Sequence, residues 1–170
     1  MPPMTTSPSI VADLEPRLRA SLPDDVDYAS IRLWDETAEQ ISVRQNELEP
    51  LFTSFEAGIM VCIRANGGVG YAATSDLTDA GLASAVDRAR HWATLTAGVA
   101  IANDVALPHP TGFYASPVAE SWENLPLDDR IALIRQQSQL LGIDDRIVDW
   151  HASLARRDVD TLLFTSGGGR

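Results

Sequence analysis

Few residues in this chain are suited to chemistry, and their spacing limits what they can do. The three histidines, His91, His109 and His151, fall respectively in a helical stretch, a Pro-rich segment and a strand-like stretch. No pair has the short spacing with which a helix or loop offers two ligands to a metal ion. The single cysteine, Cys62, lies between apolar neighbours. It has no disulfide partner and no histidine at short range, and reads as a buried structural thiol in a reducing compartment. Gly67-Gly68-Val69-Gly70 has the glycine content of a phosphate loop, but Tyr71 continues a strand where a helix should open, and no Gly-Lys-Ser/Thr follows. Asp25-Val26-Asp27 and Asp158-Val159-Asp160 lack the glycine and terminal glutamate of a calcium loop and read as solvated turns. Arg64 stands out, because it ends an all-apolar run and an unpaired buried charge costs several kcal/mol. Two settings suit it: an ion pair at a sheet margin, or a groove where its planar fork holds a peptide carbonyl or carboxylate.

The elements that position these residues follow from apolar periodicity. Residues 59 to 63 are apolar throughout, as in a strand covered on both faces. Asn66-Gly67 supplies the two positive-φ positions of a type I′ turn, and the chain returns through Val69, Tyr71 and Ala73. Thr74, Ser75, Asp76 and Thr78 offer caps for a helix over 79 to 96, whose apolar face is Leu82, Val86, Ala89, Ala93 and Thr96, with Ala85 and Trp92 alongside. Gly98 is its stop.

Upstream, Ile10, Val11, Leu14, Leu18 and Leu22 predict a helix over 9 to 21, with Pro8 in its first turn and Pro16 delaying its start. Two short strands over 28 to 34 and 38 to 45 read as a hairpin joined by an acidic turn, with Ala29, Ile31, Leu33, Ile41 and Val43 facing in. Glu47-Leu48-Glu49-Pro50 interrupts pairing before a short strand over 51 to 55. Downstream, residues 100 to 126 carry four prolines and read as a long irregular crossing in which Phe113, Tyr114 and Trp122 pack. A second amphipathic helix over 126 to 141 uses Leu127, Ile131, Ile134 and Ser138, widened by Leu133, Leu140 and Leu141, and ends at Gly142. Strands over 147 to 155 and 161 to 165, with a turn at 156 to 160, close the chain. The expected fold is α+β: an antiparallel or mixed sheet of about five to seven strands with two to three amphipathic helices packed on it.

The 170 residues are 45% hydrophobic, enough for one substantial core, so a single domain over 9 to 170 behind a disordered tail of 1 to 8 is expected. A net charge of −11 and the absence of lysine argue against a nucleic-acid surface. No apolar run approaches the roughly 18 residues of a membrane span, and the first residues lack a secretory signal, so a soluble cytoplasmic protein is expected, with no nucleic acid and no membrane as partner.

Gly58 with Ile59, the apolar strand ending in Arg64, the turn Asn66-Gly67-Gly68, and then Gly70-Tyr71-Ala72-Ala73-Thr74-Ser75-Asp76-Leu77 resemble the N-terminal signature of the TldD/PmbA family of zinc metalloproteases. The likeness runs from about Asp27 to Ala97, and more loosely from Leu127 to Gly169; the family often carries a bulky aromatic where Val69 stands. The resemblance implies an N-terminal domain forming part of the substrate cavity, with Arg64 and Tyr71 lining it and Gly58, Asn66, Gly67, Gly68 and Gly70 shaping the hairpin. In the family, zinc is held by a His-Glu-x-x-x-His helix and a further ligand in the C-terminal part. Nothing like that motif occurs here, so no catalytic residue, metal ligand or cofactor is expected in this chain, and the chain alone is expected to be inactive. Implied partners are a C-terminal metalloprotease domain, a second subunit in a homodimer or a heterodimer with a paralogue, and unfolded peptide substrate. The end after a predicted strand suggests a fragment of a longer protein. Two readings from other classes are a free-standing module that captures extended peptides by strand addition at a sheet edge, and a dimerisation domain.

Overall fold

A computed structural model describes residues 8–99, 101 and 106–170, with side chains from residue 14 onward. Residues 1 to 7 of the expected tail, and residues 100 and 102–105 of the expected crossing segment, lie outside it. The elements are helix α1 (Pro8–Ala20), strands β1 (Tyr28–Arg44), β2 (Glu47–Leu48), β3 (Phe52–Ala65) and β4 (Gly68–Thr74), helix α2 (Asp79–Thr96), a 3-10 turn (Trp122–Asn124), helix α3 (Leu127–Gln139) and strand β5 (His151–Thr165). The five strands form one sheet in the order β2-β1-β3-β4, with β5 paired to β1. β3 and β4 are antiparallel from Ile59↔Thr74 to Ala65↔Gly68. β5 runs antiparallel to β1: the Ser166 amide donates to the Ala29 carbonyl at 2.9 Å at one end, and the Gln45 amide to the Trp150 carbonyl at 3.1 Å at the other. The α+β class and antiparallel sheet are as expected.

The chain divides into two compact units, one comprising residues up to Asp35 with Ala57–Gly112 and Asp160–Arg170, the other Glu36–Glu56 with Phe113–Val159. In the first, Ala29, Ile31 and Leu33 of β1, Ile59, Val61 and Ile63 of β3 and Phe164 of β5 are buried with Leu14 and Leu18 of α1 and Leu82, Ala85, Val86, Ala89 and Ala93 of α2. The alanines of α2 and the glycines of β4 bring helix and strand into backbone contact. A Cβ on Gly70 would lie 1.9 Å from the Ala89 carbonyl oxygen, and one on Gly68 1.9 Å from that of Ala93. Thr78 caps α2 by accepting from the Gly81 amide at 3.2 Å. The turn before β4 has Asn66 at φ 51° and Gly67 at φ 73°, the type I′ pattern read from Asn-Gly.

The second unit has a smaller core. Ile41 and Val43 of β1 pack on Ile134 of α3, flanked by half-buried Leu48, Ile131, Ala152 and Leu154. Ion pairs surround it: Arg44 to Asp149 at 2.6 Å, Arg157 to Glu36 at 3.1 Å, Arg156 to Glu123 at 2.7 Å, and Arg130 to Glu39.

Several expectations are corrected here. The hairpin expected over 28 to 45 is one continuous strand, β1. Its acidic centre, Asp35-Glu36-Thr37, contains no glycine, asparagine or proline to turn the chain. β5 is likewise unbroken through Arg156-Arg157-Asp158-Val159-Asp160, where a turn was expected, and begins only at His151. The charges that suggested a turn are used in pairs, Arg156 with Asp158 and Arg157 with Glu36. Residues 51 to 55 are not a separate strand: β3 starts at Phe52. The chain reverses instead at Gln45-Asn46, with φ 50° and 67°, so that Glu47 and Leu48 pair back onto Arg44 and Val43. Pro16 lies inside α1, which begins at Pro8. Phe113 and Tyr114, expected to pack, are 93% and 81% exposed, and Trp92, Leu133, Leu140 and Leu141 also lie on the surface. Trp122 does pack, with the Arg130 guanidinium 4.7 Å above its ring.

Candidate functional site

Among the described residues of the first unit, helices cover one face of the sheet. Side chains alternate along a strand, so while Ala29, Ile31, Leu33, Ile59, Val61 and Ile63 point at the helices, Tyr28, Ser30, Arg32 and Trp34 of β1 and Met60, Cys62 and Arg64 of β3 emerge on the other face. The register sets Tyr71 of β4 opposite Cys62, and Val69 opposite Arg64. Arg64 and Tyr71, the two residues singled out from the sequence, thus share a face with Cys62. Cys62 is buried, Arg64 half-buried and Tyr71 58% exposed.

These groups act on one another. Burial pushes the Cys62 thiol up, against a hydrogen bond from Tyr71 and the charge of Arg64, which lower it. The same hydrogen bond, with the sulfur's charge and partial burial, raises the Tyr71 phenol. Both shifts favour the protonated forms at neutral pH. The face offers hydrogen bonding and aromatic surface: the guanidinium of Arg64, the phenol of Tyr71, and Arg32 6.0 Å from the ring of Trp34.

His109, from the Pro-rich segment, places Nδ1 2.8 Å from the Thr165 hydroxyl and stacks on Tyr28 with ring centroids 5.6 Å apart. The Gly169 amide donates to the same hydroxyl at 2.9 Å, and the Arg170 amide to the Pro110 carbonyl at 2.7 Å. Residues 109 to 112 are thereby tied to 165 to 170, a contact that no local sequence pattern announces. His91 lies edge-on to Trp92 and is exposed, and His151 is 3.6 Å from Glu49. The structure does not bring the three histidines together. Among the described residues no three His, Cys, Asp or Glu side chains are placed to hold a metal ion, so the donor set does not fit zinc.

Edge strand β4 is closed to further pairing by α2. Its residues Val69, Tyr71 and Ala73 turn their backbone groups outward. The Thr96 hydroxyl accepts from the Val69 amide and donates to the Val69 carbonyl, both at 2.8 Å, while Arg88 donates to the Ala73 carbonyl at 2.9 Å. On this edge, the strand addition expected of a free-standing module has only the backbone of Tyr71 left to use.

The second unit contains an open groove of about 440 Å³, lined by Glu36, Ala38, Glu39 and Gln40 of β1, Phe52, Ser54 and Glu56 of β3 and Ala155, Arg156 and Arg157 of β5. No local sequence pattern announces it, because it forms only where β1, β3 and β5 come together over long sequence separations.

Residues 29–93 match the family model for PmbA/TldA metallopeptidase domain 1. The matched stretch carries the hairpin, Arg64, Tyr71 and α2, the residues on which the sequence resembles that family. Three solved structures have the same fold: a candidate modulator of DNA gyrase from Bacteroides thetaiotaomicron (18% identity, TM-score 0.65, 92% of this chain and 37% of that one), TldE from Thermococcus kodakarensis (15%, 0.58, 93% and 35%), and a candidate modulator of a DNA gyrase from Thermotoga maritima (11%, 0.60, 93% and 36%). The chain thus spans little more than a third of the length of each. No curated protein sequence matches it. Among the described residues no helix is long and apolar enough to cross a membrane.

Proposed function

We propose that this chain is the substrate-facing, non-catalytic first domain of a TldD/PmbA-type zinc metallopeptidase, or of that enzyme's metal-free partner subunit. The observation that carries this reading is the sheet face of the first unit, inside the matched stretch, where Arg64 and Tyr71 stand together opposite the helix-covered side. In this reading zinc and the residues that hydrolyse the peptide lie elsewhere in the complete protein, which acts on unfolded peptide in the cytoplasm as a homodimer or heterodimer. The domain's own task is to bind: the Arg64 guanidinium donates to peptide carbonyls or a terminal carboxylate, and Tyr71 offers a hydroxyl and an aromatic edge. The protonated Cys62 fills space beneath them and performs no covalent step.

The test is to place Arg64→Ala and Tyr71→Phe in the complete, metal-bearing protein and measure hydrolysis of an unstructured peptide. The reading expects KM to rise about tenfold for Arg64→Ala, as for a lost charged hydrogen bond, with kcat changing little. Unchanged KM in both variants contradicts it. Stoichiometric zinc in the isolated 170-residue chain, measured by elemental analysis, does so too.

A further inference from the structure

We infer that the groove of the second unit recognises an extended peptide segment carrying an apolar side chain and, four residues further on, a basic one. This rests on the reading above that the chain faces peptide, and it names the sequence class of that peptide.

The argument is one of charge and spacing. Most charged side chains at the groove are already neutralised within the unit. Arg157 pairs with Glu36 at 3.1 Å, Arg156 with Glu123 at 2.7 Å and with Asp158, and Glu39 with Arg130. Glu56 lines the groove and is exposed, and among the described residues it makes no ion pair. Glu56 is therefore the lining carboxylate that a cationic side chain can still neutralise, in a chain whose net charge is −11. Phe52, 58% exposed, lines the same groove from the same strand. Phe52, Ser54 and Glu56 alternate to one face of β3, which sets Phe52 and Glu56 roughly 13 Å apart at the usual rise of a strand. A peptide lying extended along β3 repeats its side chains at that rise, so an apolar residue on Phe52 places the side chain four positions away beside Glu56. A lysine or arginine there gains an ion pair, and a glutamate meets a like charge in an acidic protein. Half-buried Ser54, between them, leaves room for the intervening side chain and offers a hydroxyl to the peptide backbone.

The experiment is fluorescence anisotropy of three labelled, unstructured peptides of equal length titrated with the 170-residue chain. One has phenylalanine with lysine four residues later, the second glutamate in place of that lysine, and the third the lysine moved one position so that it points away. The first is expected to bind about fivefold more tightly than the second and about threefold more tightly than the third, the size of one exposed ion pair. Glu56→Gln should bring the first two peptides within about twofold of each other, Glu56→Lys should reverse their order, and Phe52→Ala should weaken all three alike. Both side chains are exposed, so the variants are expected to keep the wild-type circular dichroism spectrum. Equal binding of the first two peptides, a preference that survives Glu56→Gln, or no binding of the first peptide overturns the inference. The KM measurement on Arg64 and Tyr71 concerns the other unit, so either result can fail while the other stands.

Discussion

The two units are held together by burial and charge in different proportions. In the first, fourteen buried apolar residues from three strands and two helices form the core, and Gly68 and Gly70 let the backbone of α2 touch β4. In the second, only three buried residues form the core, so the arginine–carboxylate pairs found in both units, such as Arg17–Asp79 in the first and Arg44–Asp149 and Arg157–Glu36 in the second, carry a larger share there. Apolar burial is insensitive to pH, whereas exposed ion pairs contribute little each and are lost in acid. The comparison teaches that the first unit is the rigid support of the Arg64–Tyr71 face, and the second a more adaptable one around its groove.

The largest effect should come from crowding the tightest contact in the first unit. Gly70→Ala sets a methyl group against the Ala89 carbonyl and should cost about 3 kcal/mol in a urea unfolding curve. A loss below about 1 kcal/mol would mean that α2 moves away freely and the first unit is not rigid. Next comes Ile134→Ala, expected to cost about 2 kcal/mol and to speed amide exchange in α3 and β2 more than in α2 and β4. Uniform acceleration would erase the distinction between the units. Thr96→Val should cost about 1 kcal/mol, leave the Val69 amide and carbonyl unpaired and make the β4 edge prone to self-association, read by sedimentation.

The smallest effect is that of acid. Hydrogen bonds from Ser121, its own backbone amide and Arg156 hold the Glu123 carboxyl down at about 2, and Arg44 lowers Asp149. A carboxylate with a depressed folded pKa contributes stability above its unfolded value, and that contribution fades as pH falls toward the folded one. Arg90 of α2 likewise lowers Asp25, and Thr78 lowers Asp76 at the start of that helix. Amide protection should therefore decline between about pH 4.5 and 2 in both helices, and more in α3, whose apolar core is smaller. Equal decline in both helices would refute the contrast.

The same contrast decided what could be read from the sequence. The Asn66-Gly67 turn, the apolar run 59 to 63 and the capped helix over 79 to 96 each carry a local signal that agrees with the tertiary structure, and all three are present. The placing of Arg64 and Tyr71 on one face follows from the period of a strand once the turn is known. The continuity of β1 and β5 is hidden locally, because clustered charges such as Arg156-Arg157-Asp158 resemble turn composition, and only their pairing with Glu36 and Glu123 across the unit reveals an unbroken strand. The groove and the His109–Thr165 contact depend on residues brought together over long sequence separations, which no local pattern encodes.

The central claim, that this chain binds peptide and does not cut it, is tested most directly by hydrogen exchange read by mass spectrometry, with and without an unstructured peptide, in the presence of zinc. The account predicts slower exchange in β3 and β4 with little change in α1, and peptide recovered intact. Cleaved peptide, or protection confined to the helices, would contradict it.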